Sequence, residues 1–242
     1  MKKWIQKLLC PGVAAAGLAG FGLRYWLFTT GIDERGLLLT DHPAHILILL
    51  WTGLIMAALA VFVWQCPKQL RKPLPGSLVG FWGCMVAAVG ILIANVLELT
   101  TANDGVTIAS SVMGVLAAFG LLYMGIRRKS GHRGSMAAFT LIILYYMTHL
   151  ILQYRMWSAQ SQLQIYFFPL MASVFLMLFA YHRAALDVHG NHFRRYIFFN
   201  QAALFCCLLS LNTDSWLFYL AMAVWAATDL YIPEQTQQEE LV

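Results

Sequence analysis

The sequence predicts an all-α fold: a polytopic integral membrane helix bundle of about eight transmembrane helices with both termini in the cytoplasm. Three observations predict it. Hydrophobic residues make up 60% of the chain and charged residues only 11%, apolar stretches of spanning length recur along it, and the basic residues alternate with those stretches. A soluble domain is about 45–50% apolar and about 25% charged, because charged side chains must cover its surface. A bilayer removes that requirement, because its interior is itself apolar.

Eight stretches approach the roughly 20 apolar residues that a spanning helix needs. They form one predicted domain, residues 1–232, whose polar and acidic continuation 233–242 is predicted to be a disordered cytoplasmic tail. The seventh and eighth stretches are separated by only Asn212, Thr213 and Asp214, so a tight helical hairpin is expected. A seven-span bundle with this pair re-entrant is the alternative. The predicted spans are 8–29, 45–65, 77–98, 106–126, 136–155, 164–183, 196–211 and 215–232.

The positions of the lysines and arginines predict the orientation, because basic residues accumulate in cytoplasmic loops. With the N-terminus inside, nearly all of the 16 basic residues fall on the cytoplasmic side. Short loops and the lack of Asn-x-Ser/Thr sequences favour the inner membrane of a bacterium. The residues on the predicted inner side are Lys2, Lys3, Lys7, Lys68, Arg71, Lys72, Arg127, Arg128, Lys129, Arg133, Arg183, Arg194 and Arg195.

Several function classes find no support in the residues. The basic residues are dispersed among short loops, so no nucleic-acid partner is predicted. The five cysteines form no C-x-x-C pair, which leaves no disulfide framework or zinc ligand set, and the pair Cys206–Cys207 is interpreted as packing. No predicted span contains a lysine for a retinal Schiff base, and no G-x-S-x-G, H-E-x-x-H or Walker-type sequence occurs. We therefore predict no catalytic residue, no metal and no cofactor.

Two short clusters combine aspartate and histidine, the residue types that ligate transition metals. They lie at 41–45 on the predicted outer side and at 187–192 on the inner side. A bilayer thickness separates them, so they cannot share an ion. We interpret Asp41 and His42 as the start of the second helix, with Pro43 in its first turn, and the inner cluster as a solvated loop.

Small residues recur about every four positions in three of the predicted helices, a pattern typical of close helix contacts in lipid. In the first and third helices the next step along the stripe is charged, at Arg24 and Glu98. Both residues are therefore expected to face other helices near the outer end of their spans. The stripes are Gly12, Ala16 and Gly20; Gly83, Ala87, Gly90 and Ala94; and Ser110, Gly114 and Ala117.

A charge at membrane depth is costly unless it is paired or wetted. We therefore predict that Arg24 and Glu98 form an ion pair or share a water-filled pocket open to the outside. The alternative is that Arg24, about one turn from its helix end, extends its side chain to the outer headgroups. Asp229, near the inner end of the last helix, is expected to reach water.

A polar stripe marks one face of the predicted fifth helix, where Tyr145, His149 and Gln153 recur every four residues. Lipid does not accommodate such a face, so it is expected to point into the bundle. A histidine that only makes structural hydrogen bonds is the alternative to a functional His149. The predicted ligand-binding residues of one outward-facing cavity are Arg24, Asn95, Glu98, Tyr145, His149, Gln153 and Arg155.

These residues favour a small-molecule binder or transporter-like membrane subunit. Arg24 and Arg155 would contact a polar or anionic ligand, Glu98 would fix Arg24, and His149 would donate a hydrogen bond or relay a proton. The first alternative is a membrane-embedded enzyme acting on a lipid or isoprenoid, with His149 as acid or base. The second is a non-catalytic assembly or sensor subunit. The expected partners are the lipid bilayer, a polar or anionic small molecule and a membrane partner subunit.

Overall fold

The described part of the chain is an all-α bundle, as the sequence predicts. The computed structural model describes residues 3–31, 42–66, 76–101, 105–158, 166–189, 192–213 and 215–230, so the predicted tail 233–242 lies outside it. A 3-10 turn, Ser210–Asn212, follows the seventh helix. The helices within the described residues are α1 Lys3–Thr30, α2 Pro43–Trp64, α3 Leu78–Thr101, α4 Gly105–Lys129, α5 Met136–Ser158, α6 Phe167–His189, α7 Phe193–Leu209 and α8 Trp216–Asp229.

Five of these helices, α2 to α6, are long and apolar enough to cross a membrane. Their outward surfaces are apolar: on α2, for example, Leu50, Leu54 and Val61 are all exposed. Exposed leucine and valine in continuous helical faces are unfavourable in water and favourable in hydrocarbon. The architecture is therefore that of a multi-pass membrane protein.

The helix α7 lies at the centre of the bundle and packs against α1, α2, α6 and α8. Every residue from 200 to 210 is buried. With 17 residues in α7 and 14 in α8, the two helices are about 26 and 21 Å long at about 1.5 Å per residue. Both are shorter than the roughly 30 Å hydrocarbon core. Because neighbouring helices surround α7, its length does not have to match the lipid.

The central helix also carries two amides that lipid would not accept. The Asn200 Nδ2 donates to the Ala226 carbonyl oxygen at 3.0 Å, and the Gln201 Nε2 donates to the Asn200 Oδ1 at 2.9 Å. Asn200 thereby joins α7 to α8, which confirms that these two helices form a packed hairpin. Asp214, in the turn between them, lies outside the described residues.

Consecutive helices run in opposite directions, so the start of α1 and the end of α8 lie at the same end of the bundle. At this end the Ser77 N–H donates to the Arg128 carbonyl at 3.2 Å, the Arg194 Nε donates to the Cys66 carbonyl, and the Cys10 Sγ reaches the Ala227 carbonyl. We call it the basic end, because it carries Arg127, Arg128, Lys129, Arg194 and Arg195.

At the opposite end, α2 begins as the sequence predicts. Pro43 is the first residue of α2, and the His42 Nδ1 accepts a hydrogen bond from the Ala44 N–H at 3.3 Å. The imidazole thereby caps a helix terminus whose first N–H groups have no partner within the helix. Asp41 lies outside the described residues.

Small residues bring α3 and α8 into close contact, in agreement with the predicted stripe on α3. A Cβ added to Gly90 would overlap the Cβ of Ala221, and one added to Gly83 would overlap the side chain of Thr228. These contacts leave no space between the two helices. Gly114 plays the same role on α4, where it faces the amide of Asn95.

The predicted stripe on α1 is wrong in its first half. Gly12 is exposed, and a Cβ added to it would meet nothing within 4 Å, whereas Gly17 packs against Leu208 and Gly20 against Leu209 of α7. Gly20 and Arg24 fit two possible faces of α1, one that contains Gly12 and one that contains Gly17. Because both positions are glycine, the spacing of small residues does not distinguish the two faces. The buried face is Val13, Gly17, Gly20, Arg24 and Leu27.

We predict that Gly90→Ala destabilises the protein, because the new methyl group meets the Ala221 Cβ on a rigid helix. Overpacking of this kind typically costs about 1–3 kcal/mol. The matched control is Gly53→Ala on α2, where a Cβ meets nothing within 4 Å. Thermal unfolding of both variants in detergent measures the difference, and equal stabilities would contradict the close α3–α8 contact.

Candidate functional site

The polar stripe of α5 points into the bundle, as predicted. Tyr145, His149 and Gln153 are 1%, 3% and 3% exposed. Their neighbours belong to α3, α6 and α8, so the stripe faces the interior at the end of the bundle opposite the basic end.

Gln153 is the centre of a hydrogen-bond network between α5, α6 and α8. Its Nε2 lies 2.8 Å from the His149 Nε2 and donates to the Tyr219 hydroxyl at 3.0 Å. Its Oε1 accepts from the Ser173 hydroxyl at 3.2 Å. The Ser173 and Tyr219 hydroxyls also lie 3.1 and 3.5 Å from the Pro169 carbonyl. The amide of Gln153 is therefore bonded through both of its ends.

The network continues from α5 to α3. The Asn95 Nδ2 donates to the Tyr145 hydroxyl at 3.2 Å and to the Ile91 carbonyl at 2.8 Å. The Tyr145 and His149 rings lie 5.6 Å apart between centroids, and Phe218 packs 5.0 Å from His149. We call this connected set the polar chain; its members are Asn95, Tyr145, His149, Gln153, Ser173 and Tyr219.

Two buried atoms of the polar chain have no hydrogen-bond partner, the Asn95 Oδ1 and the His149 Nδ1. An amide N–H only donates, so the His149 Nε2 accepts from Gln153 and the proton of the neutral ring lies on Nδ1. The chain thus presents one open acceptor and one open donor. A buried polar group without a partner costs about 1–3 kcal/mol, so each of these two atoms would be stabilised by a further polar partner.

Arg24 lies in the interior and not at the headgroups. It is 2% exposed, its Nη1 donates to the Leu209 carbonyl at 2.6 Å, and its guanidinium carbon lies 5.2 and 5.5 Å from the ring centroids of Phe28 and Phe168. Leu209 ends α7, and a helix C-terminus carries partial negative charge. Arg24 therefore fixes α1 to the end of the central helix.

The remaining two predicted site residues lie further toward the same end. Glu98 is half-buried, three residues beyond Asn95 on α3, and Arg155 is exposed, two residues beyond Gln153 on α5. The predicted pairing of Arg24 with Glu98 and a cavity shared by all seven residues stay predictions. What the structure brings together is Asn95, Tyr145, His149 and Gln153, with Arg24 beside Phe168, the neighbour of Pro169.

Sequence reasoning missed the groups that complete this site. Tyr219 and Ser173 lie in apolar stretches, where a tyrosine resembles an interfacial aromatic and a serine resembles a small packing residue. The Pro169 and Leu209 carbonyls are backbone atoms, which no sequence pattern distinguishes.

A second polar cluster lies at the basic end. The Asp229 Oδ2 lies 3.1 Å from the Arg183 Nε and accepts from the Tyr196 hydroxyl at 2.6 Å. The Arg128 Nη2 donates to the Asp229 carbonyl at 2.9 Å, and Arg183 also pairs with Asp187 at 2.9 Å. We call these five residues the ion cluster. Asp229 is 4% exposed, so it lies in the interior, and the expectation that it reaches the water outside the bundle is wrong.

The interpretation of 187–192 as a solvated loop is also wrong at its start. The helix α6 continues to His189, and the Asp187 Oδ2 accepts from the Gly134 N–H at 3.0 Å. Gly190 and Asn191 lie outside the described residues. Within the described ranges, no three histidine, cysteine or acidic side chains are grouped closely enough to hold a metal ion.

We predict that Tyr219→Phe destabilises the protein by about 1–3 kcal/mol, because it leaves one N–H of the buried Gln153 amide without an acceptor, while the other still donates to His149. The matched control is Tyr154→Phe on α5, next to Gln153 in the sequence. The Tyr154 ring is 57% exposed, so the free energy of unfolding should change by no more than about 0.5 kcal/mol. Thermal unfolding of the purified variants makes the comparison. If both variants unfold with the wild type, the polar chain contributes nothing to stability.

No protein-family model, no curated protein and no solved structure matches this chain. The side chains and their geometry are therefore the basis on which its function is inferred. They establish an all-α bundle with the architecture of a multi-pass membrane protein.

Proposed function

We propose that the protein binds a small polar or anionic molecule at the polar chain, as a transporter-like membrane subunit. One observation carries the proposal: the open acceptor of Asn95 and the open donor of His149 lie in the same buried network. A ligand with one donor and one acceptor group would complete it.

The surroundings make this pair of open groups informative. Hydrocarbon offers no water to partner a stranded polar atom, so polar residues inside spanning helices commonly mark ligand or ion sites. The other members of the network already bind one another, and Gln153 uses both ends of its amide. Within the polar chain the buried atoms without a partner are the Asn95 Oδ1 and the His149 Nδ1, and one small ligand with a donor and an acceptor would match them.

The nearby cations support an acidic group on the ligand. Arg24 lies beside the ring of Phe168. The next residue in the sequence is Pro169, and its carbonyl lies 3.5 Å from the Tyr219 hydroxyl. Arg155 is exposed two residues beyond Gln153. A guanidinium attracts carboxylates and phosphates through charge-assisted hydrogen bonds, so the two arginines favour an anion approaching from this end.

The orientation follows the positive-inside pattern. The basic end faces the cytoplasm of a bacterial inner membrane, and the polar chain lies near the outer surface. A ligand from outside the cell would then meet Arg155 first and reach His149 afterwards.

One observation favours the alternative of a non-catalytic assembly or sensor subunit. Phe218 packs against both His149 and Tyr145, so part of the space beside the polar chain is filled by a ring. If this alternative holds, the polar chain joins α3, α5, α6 and α8 and binds no ligand.

A ligand panel separates the two functions. We expect at least one small carboxylate or phosphate ester to raise the unfolding temperature of the purified protein, because binding to the native state at 100 times Kd adds about 2.7 kcal/mol. Neutral polyols in the same panel test whether the charge matters.

The variants Asn95→Leu and Arg24→Gln should lose that shift. Arg195→Gln, which removes an exposed arginine at the basic end, should keep it and controls for net charge. If no compound stabilises the wild type, or if Asn95→Leu responds as the wild type does, the binding function is wrong and the assembly subunit is favoured.

A further inference from the structure

Buried polar contacts follow one face of α8 from the polar chain to the ion cluster. The contact positions are Tyr219, Met222, Ala226 and Asp229, spaced three, four and three residues apart, which is the spacing of a single helical face. The four positions span about 15 Å at about 1.5 Å per residue.

Each of these positions meets a polar side chain from another helix. Tyr219 binds Gln153 at the first step, and the Met222 Sδ accepts from the Tyr146 hydroxyl at 2.8 Å at the second. The Ala226 carbonyl accepts from Asn200 at the third. Asp229 and its ion cluster form the last step.

The opposite side of α8 has a different character. There Ala221 and Thr228 pack against Gly90 and Gly83 of α3 without intervening space. The polar contacts described above therefore lie on the face turned toward α5, α6 and α7, and α3 packs closely against the opposite face.

The ion cluster closes this face at the basic end. Through Asp229 it joins α8 to α4 by Arg128, to α6 by Arg183 and to α7 by Tyr196. Four helices thus meet at Asp229: Arg183 and Tyr196 bind its carboxylate, and Arg128 binds its backbone carbonyl. Removing one partner of a buried ion pair strongly favours rearrangement, because the other charge is left uncompensated.

A cavity of about 20 Å³ adjoins the cluster, enough for one water molecule. The Arg128 Nε is buried without a hydrogen-bond partner and lies 4.0 Å from the Asp229 Oδ1. The cavity is lined by Cys84, His132, Phe139 and Trp225 along with the charged residues of the ion cluster. A second open donor thus lies at the basic end of the same α8 face.

We propose that the ion cluster is the exit site and gate of a pathway for a small polar or anionic solute along this face of α8. This proposal rests on the proposed binding function and extends it from binding to passage. The acidic group of the solute displaces the Asp229 carboxylate from Arg183 and binds the Arg128 Nε, which lacks a hydrogen-bond partner. Loss of the carboxylate contacts releases α8 from α6 and leaves only the Asp229 carbonyl to hold it to α4, which widens the cavity toward the basic end.

Cys84 is a native reporter of this opening, because it lines the cavity and is 4% exposed. The experiment treats the protein in lipid nanodiscs, where both membrane faces are accessible, with a charged thiol reagent, and follows each cysteine by mass spectrometry. In Asp229→Asn, Cys84 should react at least about tenfold faster than in the wild type, because the closed state loses its central charge. Cys206 and Cys207, buried in α7, should stay protected.

The control is Arg195→Gln, which removes an exposed arginine at the same end and should leave Cys84 protected. If Asp229→Asn fails to fold, Arg128→Gln gives the same test, because it keeps the Arg183–Asp229 pair. The gate is overturned if Cys84 reacts no faster in the cluster variants, or if Cys206 and Cys207 become reactive together with it. The labelling needs no ligand, so its outcome is independent of the thermal-shift panel.

Discussion

A bilayer interior offers no hydrogen-bond partners, and this constraint explains where nearly every polar group of the described bundle lies. The amides, hydroxyls and charges within α5, α7 and α8 face one another, while leucine and valine face outward on helices such as α2. The short central helix α7 is the clearest consequence. It carries Asn200 and Gln201 at mid-length, and it does so because protein and not lipid surrounds it.

The two ends of the bundle solve the constraint in different ways. At one end neutral groups bind in sequence through Gln153, and two atoms stay open. At the basic end the charges of Arg128 and Arg183 converge on Asp229. A buried ion pair is not in itself strongly stabilising, but loss of one partner costs about 3–5 kcal/mol. The proposed gate depends on that cost, whereas the proposed ligand site depends on the two neutral atoms that lack a partner.

Much of this arrangement could be predicted from periodicity. The four-residue repeat of Tyr145, His149 and Gln153 predicts an inward polar face, and the small residues leading to Arg24 predict that it is buried. The frame of the stripe on α1 could not be predicted, because glycines at 12 and 17 fit two faces equally well. Packing against Leu208 and Leu209 decides between them.

The ion cluster could not be predicted for a different reason. Arg128 and Arg183 stand near helix ends, where basic residues usually mark the cytoplasmic boundary and contact headgroups. The helix α4 ends one residue beyond Arg128 and α6 six residues beyond Arg183, at Lys129 and His189, yet both arginine side chains are buried. Only tertiary packing then shows that they share the carboxylate of Asp229, which is 101 and 46 residues distant along the chain.

The proposed binding site and gate require that the protein cross a membrane with its basic end in the cytoplasm. The most direct test introduces Ser130→Cys, an exposed position in the turn after α4, and labels it with a membrane-impermeant maleimide. We predict no labelling in intact cells and full labelling after the cells are lysed. Labelling of this cysteine in intact cells would contradict the orientation, and with it the proposed outer binding site and the proposed inner gate.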